Sequence, residues 1–204
     1  MTAEALRQIA LERQWAYRER DRALEDRWCG APFTQWTQSR ALDAITGTRN
    51  GVPVAAFRFV VTHTDAYPEA FLVVAAALAG PLPRVSLVPL GNPVDVHPYG
   101  GSYEPEDAVL AEQYQITAVD LSAANALLHL TGVTILRRLP PSDWRIEGSD
   151  LLLIQRETDV TSVLDSVDAL AEMAAAIPPE VYAEFVPVPT FPAPRSERQL
   201  PESV

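Results

Sequence analysis

The chain contains no lysine; all 16 of its basic residues are arginine. That absence removes Schiff-base chemistry and the phosphate-binding lysine of a nucleotide loop. Cysteine is nearly absent as well, with Cys29 alone, so neither an internal disulfide nor a paired Cys-x-x-Cys redox or zinc motif is available. A lone cysteine in a chain of this size reads first as a small core hydrophobe. Long apolar runs are also missing. The longest, Ala70 to Ala79, is ten residues, about half of the ~20 that a membrane-spanning helix requires. The opening residues show no basic flank followed by an apolar stretch, so no signal peptide is read there. The expectation is a soluble, cytoplasmic protein.

What is present suits one globular unit. The sequence runs to 204 residues with 48% hydrophobic and 21% charged content, enough apolar material for a real core and too much for a disordered chain. The net charge of −11 is unevenly spread. Residues 1–60 carry nine Arg against seven acids, whereas the rest carries seven Arg against twenty acids. An acidic body is a poor match for phosphate backbones, so no nucleic-acid partner is expected. The basic concentration lies at Arg13, Arg18, Arg20, Arg22 and Arg27, interleaved with Glu12, Glu19, Asp21, Glu25 and Asp26. The plainest reading is a solvated face laced with ion pairs. A sharper one notes Trp15 and Trp28 beside the cations, a pairing enriched at binding hot spots. On that reading Trp15, Arg18, Arg20, Arg22, Arg27 and Trp28 form a candidate partner-binding edge, with at most peripheral contact to anionic lipid.

Periodicity predicts an α+β domain over residues 1–186, a mainly antiparallel twisted sheet of six to seven strands with helices packed on one face. Thr2 can cap a helix over Ala3–Gln14, with Leu6, Ile9 and Ala10 on one stripe. A short strand at Trp15–Tyr17 and a short helix over Asp21–Trp28 follow. Asn50-Gly51 predicts a tight hairpin between residues 41–48 and 52–62, and Pro53 suggests an edge position or a bulge. Ala70–Leu78, apolar on both faces, reads as a central strand, and Arg84–Leu90 as a separate shorter one. Val109–Ala118 reads as a strand, and Asp120 as the cap of a helix that Gly132 stops or bends. Residues 144–147 and 150–155 read as a compact hairpin turning at Gly148-Ser149. Val160, Val163, Leu164, Val167, Leu170, Ala171, Ala174 and Ile177 mark the last helix, ended by Pro178-Pro179. The Pro-rich residues 187–204 read as an extended, disordered tail.

Chemistry-bearing constellations are sparse. His63 and His129 have no ligand-type neighbours at metal-binding spacings and read as structural. The loop 91–107 groups Asp95, His97 and Tyr99 with glycines, and Asp95 is placed to orient His97 as a general base. No nucleophile elbow, phosphate loop, dinucleotide-binding glycine motif or zinc motif accompanies them, so the first reading of this loop is a connector. No cofactor is expected. Helices over a curved sheet also leave open an apolar cavity for a lipid or small molecule.

Several segments taken together resemble a known family. These are Trp15-Ala16-Tyr17, Asp21, Leu24, Arg27 and Gly30-Ala31-Pro32-Phe33, then Ile45-Thr46-Gly47, Gly51 and Val54-Ala55-Ala56-Phe57, then Trp144 to Leu151. They are similar to an actinobacterial family related to the mycobacterial trehalose monomycolate transport factor A, over roughly residues 10–185. The resemblance implies a soluble domain and a non-enzymatic accessory or adaptor role beside an inner-membrane lipid-export machine, with a protein partner. The described relative carries an N-terminal membrane anchor, and no segment here matches one. The resemblance carries no catalytic residues.

Overall fold

The computed structural model describes residues 3–33, 38–62, 67–91, 100–156 and 163–185. Helix α1 (Ala3–Arg13) leads into strand β1 (Ala16–Arg20) and the one-turn helix α2 (Arg22–Glu25). Asp21 caps α2 by accepting the Ala23 N–H at 3.0 Å, as its short side chain and extended backbone favour. Strands β2 (Gln38–Arg49) and β3 (Val52–Thr62) form the expected hairpin, slightly longer than the period alone indicated. Its turn residues Asn50 and Gly51 have φ of 52° and 82°, the left-handed pair that such a turn requires. Pro53 is not on an edge strand. It sits just outside the stretch that pairs with the next strand, which starts at Val54, so its missing N–H costs no ladder bond there.

The centre of the sheet is strand β4 (Glu69–Pro89), one 21-residue strand where the period suggested two. After β5 (Gly101–Ser102) come α3 (Ala108–Gln113) and β6 (Tyr114–Ala118), so the first half of the expected strand 109–118 is helical. Asp107 accounts for this by accepting the Leu110 N–H at 3.1 Å as a helix cap. Helices α4 (Leu121–Leu127) and α5 (Leu130–Leu136) follow, with the break at Leu128-His129. Strand β7 (Asp143–Arg156) is also continuous, so Gly148-Ser149 is not a hairpin turn. Helices α6 (Val163–Ala176) and α7 (Pro179–Ala183) complete the described chain.

All seven strands join one antiparallel sheet in the order β1-β2-β3-β4-β6-β5, with β7 on the other side of β4. The first half of β4 lies between β3 and β7, and its second half between β6 and β7. The two long strands bend together. Their register shifts between Ala77 and Val85, where Leu82 faces Gly148, and Gly148 takes φ of +61°. From the Ala77–Asp150 pair to the Val85–Ile146 pair β4 advances eight residues against four on β7, so the inserted residues are on β4, and the left-handed Gly148 reverses the alternation along β7. Trp144 and Ile146 therefore share a face with Leu151 and Leu153, while Arg145 and Glu147 share the other with Leu152 and Ile154.

Both faces of the sheet are covered. Helices α1, α4, α5 and α6 build the larger core on one side with Leu72, Val74, Ala76, Val85 and Leu87. Val163, Val167 and Leu170 of α6 are buried in it, whereas Leu164 is only half-buried and turns to the margin of the helix. On the other side the chain from α2 to Phe33 crosses the sheet, and Leu24, Trp28 and Phe33 pack on Phe57, Phe59 and Val73. The helices are thus mostly on one face, with α2 alone on the second. Residues 187–204, Asp95, His97, Tyr99 and His63 lie outside the described residues. No described helix is long and apolar enough to cross a membrane.

Candidate functional site

The six residues of the expected partner edge separate into two groups. Trp15 and Trp28 are packing residues. The Trp15 ring lies on Gly47, where an added Cβ would come within 2.1 Å of its Cδ1. Trp28 is 3% exposed, parallel to Phe57 at 5.8 Å between ring centres, and its indole Nε1 donates to Asp150 at 2.9 Å. It is a core anchor and presents no aromatic surface, since hydrogen-bonding its one donor lets the ring be buried at little cost. The arginines remain outside. Arg18 pairs with its cap neighbour Asp21 at 2.8 Å, and Arg20 makes a two-bond fork with Glu25 at 2.7 and 2.9 Å. Arg27 forms a fork with Asp150 at 2.8 and 2.9 Å and lies over the Trp28 ring. Arg22 is exposed on α2. Arg18 and Arg20 lie on β1, the terminal strand of the sheet, and Arg22 on the helix that follows it, forming a cationic rim, whereas Arg27 lies beyond that helix against Asp150 of β7.

Away from β1, where β4 pairs with β7, lies a charged cluster that only the fold assembles. The second half of β4 and the first half of β7 direct Arg84, Asp143, Arg145 and Glu147 to the face crossed by Cys29 and Gly30. Glu147 accepts the Cys29 N–H at 2.9 Å and pairs with Arg84. Arg84 also reaches the Cys29 carbonyl at 3.4 Å. Arg145 forks onto Asp143, with Glu147 3.9 Å from its other nitrogen. Burial raises the Glu147 carboxyl, opposed by the Cys29 N–H and by the charges of Arg84 and Arg145. The Cys29 thiol is raised by burial and by Glu147, against Arg84. A thiol shifted upward is mostly protonated near neutrality and is a weak nucleophile. The cluster therefore reads as a charged joint that fixes the crossing segment to the sheet. The alternating Arg145 and Glu147 were visible in sequence as a polar face, but nothing local pointed to Arg84 or Cys29 as their partners.

A third feature lies where residues 103–107, ahead of α3, meet α4 and α5. A cleft of about 400 Å³ is lined by residues that include Tyr103, Glu106, Asn125 and His129. The Tyr103 hydroxyl donates to Asn125 Oδ1 at 2.7 Å, and burial followed by the Glu106 charge raises its pKa. His129 does not lie inside a helix as the apolar run suggested. It is the N-cap of α5, its Nδ1 accepting the Gly132 N–H at 3.4 Å. Among the described residues no group of three His, Cys, Asp or Glu is arranged to hold a metal.

No protein-family model and no curated protein matches the chain. A search of solved structures finds the mycobacterial trehalose monomycolate transport factor A, with a TM-score of 0.59 and 17% identity. The match covers 92% of this chain and 97% of that one. The chain shares the fold of that transport factor. The segments that carried the sequence resemblance include Leu24 and Phe33 in the second core, Ile45 and Val54 at the hairpin, and Trp144 and Gly148 at the bend of β7. At this identity the likeness to the transport factor is one of fold, and neither the cationic rim nor the cleft is assigned by it.

Proposed function

We propose that the protein is a non-enzymatic accessory factor of a cell-envelope lipid transport system, acting by docking onto a protein partner in that system. One observation carries this reading: the fold matches a mycobacterial transport factor across nearly the whole of both chains. The chemistry is in keeping with it. The thiol is held protonated, the buried carboxylates of the charged joint are occupied by guanidiniums, and α6 packs on the sheet through fully buried side chains. The docking edge on this reading is the cationic rim of β1 and α2 with Arg18, Arg20 and Arg22, together with Arg27 just beyond α2, all at least partly exposed. The body behind it is acidic, so an acidic loop or anionic surface near the inner membrane would orient the protein with this rim inward.

The test is affinity capture of the tagged full chain from its native host, with and without Arg18→Gln, Arg20→Gln and Arg22→Gln together. The expected result is a membrane transporter recovered with the wild type and lost with the triple variant, whose circular dichroism is unchanged. Recovery of no transporter by the wild type sinks the accessory role. Equal recovery by the triple variant removes the rim as the docking edge.

A further inference from the structure

We propose that the cleft between residues 103–107, α4 and α5 is a binding site for a neutral sugar. The argument starts from which hydrogen-bonding groups its neighbours leave free. Asn125 spends its Oδ1 on the Tyr103 hydroxyl, so its two amide N–H donors are left for a ligand. Tyr103 spends its proton in the same bond and offers its oxygen only as an acceptor. His129 accepts the Gly132 N–H at Nδ1, which in the neutral ring requires the proton to be on Nε2, a donor. Glu106 adds a carboxylate acceptor on the rim. Donors and acceptors therefore alternate around one opening, next to the apolar side chains of Leu128 and Val133.

Charge narrows the ligand class. Asp107 also lines the cleft, but it is occupied by Arg137 and by capping α3. That leaves Glu106 as the unneutralised charge among the lining residues, which disfavours a phosphate or a carboxylate. A bare cation would use Glu106 but would be opposed by the outward donors of Asn125 and His129. A polyhydroxylated neutral ring uses both sets, since each hydroxyl donates and accepts, and its C–H face can lie against Leu128 and Val133. The cleft volume of about 400 Å³ falls within the ~300–1,000 Å³ typical of small-molecule sites. The opening faces solvent, so the same groups can receive a free sugar or the sugar head of a glycolipid. This inference stands on the geometry of the cleft and holds or fails independently of the docking role.

The test is ligand-observed saturation-transfer NMR, followed by calorimetry, on the full chain. The probes are trehalose, glucose 6-phosphate, and vesicles carrying a long-chain acyl ester of trehalose. Trehalose is expected to bind, and glucose 6-phosphate to bind more weakly because of Glu106. Asn125→Ala should weaken trehalose by about tenfold, the usual effect of losing hydrogen bonds worth ~1–1.5 kcal/mol. Asn125 is exposed, so this variant should keep its fold, and Glu106→Ala provides a second exposed variant that should raise the relative affinity for the sugar phosphate. Binding to the acylated vesicles that exceeds binding to free trehalose assigns the site to a glycolipid head; equal or weaker vesicle binding assigns it to the free sugar. Three results overturn the proposal: no transfer to trehalose or the vesicles at millimolar concentration, preference for the sugar phosphate, or affinities unchanged by Asn125→Ala.

Discussion

The two faces of the sheet are held by different physics. On the helix-covered face the contacts are apolar and fully buried, with Leu72, Val74, Leu151 and Leu153 meeting Val167 and Leu170 of α6. On the opposite face an aromatic stack of Trp28, Phe33, Phe57 and Phe59 continues into the charged joint of Arg84, Asp143, Arg145 and Glu147. Apolar burial is non-directional and supplies most of the folding free energy. Buried ion pairs gain little net stability, because desolvation offsets their attraction, but they do require a particular geometry. The first face keeps the domain folded; the second sets where the segment from α2 to Phe33 crosses, and hence where the cationic rim is displayed. The cleft opens at the outer margin of the helix-covered face, between residues 103–107 and helices α4 and α5.

Breaking the first face should have the largest effect. Leu170→Asp places an unpaired carboxylate in a site with no exposure. The cost of several kcal/mol is comparable with a total stability of about 5–15 kcal/mol. The variant should unfold or aggregate, as read by thermal melting and gel filtration. Leu164→Asp, on the half-buried margin of α6, should be much milder, and equal effects at the two positions would refute the orientation of the helix. On the second face Trp28→Ala should cost about 3–5 kcal/mol in urea unfolding. Trp28→Phe keeps a ring on Phe57 but removes the donor to Asp150, and should cost about 1.5–3 kcal/mol, the range for bonds to charged groups. If both variants cost the same, the hydrogen bond rather than the stack is the anchor.

The first face was the more legible of the two in sequence. The stripe from Val163 to Ile177 and the Asn50-Gly51 hairpin are local patterns, and both elements form where their spacing places them. The second face depends on distant pairings. Gly148-Ser149 between two alternating runs is equally suited to a two-residue turn and to a bulge, since each inserts a left-handed residue. What decides is the partner β4, which continues through Pro81 and Pro83 and bends at the same level. Prolines there suggested a break, but the register is already irregular between Ala77 and Val85, so their missing N–H groups fall where the ladder is loose. At 108–113 a helix cap outweighed β-type residues further on. Trp28 looked like a surface aromatic because arginines flank it; its burial follows from Phe57 and Asp150, 29 and 122 residues away in sequence.

The smallest expected effect separates the rim from the joint by the sign of their pH dependence. Glu25 on the rim is lowered, chiefly by its bond to Arg20 and against burial. Its contribution is therefore present above the unfolded value of about 4.3 and is lost as pH falls through the lower folded value. Glu147 is raised, with burial the leading cause. Its contribution has the opposite course, complete below about 4.3 and lost as pH rises through the window up to the folded value. Urea midpoints across mildly acidic pH should show this directly. Relative to wild type, Glu147→Gln should flatten a decline in stability with rising pH, whereas Glu25→Gln should flatten a rise. Removing Arg84 alone, with Glu147 kept, should deepen the Glu147 decline, because one of the two guanidiniums that oppose its burial is gone. A Glu147→Gln variant that follows the wild-type pH course would show that the carboxylate is solvated, and that the joint does not hold the crossing segment by a buried charge.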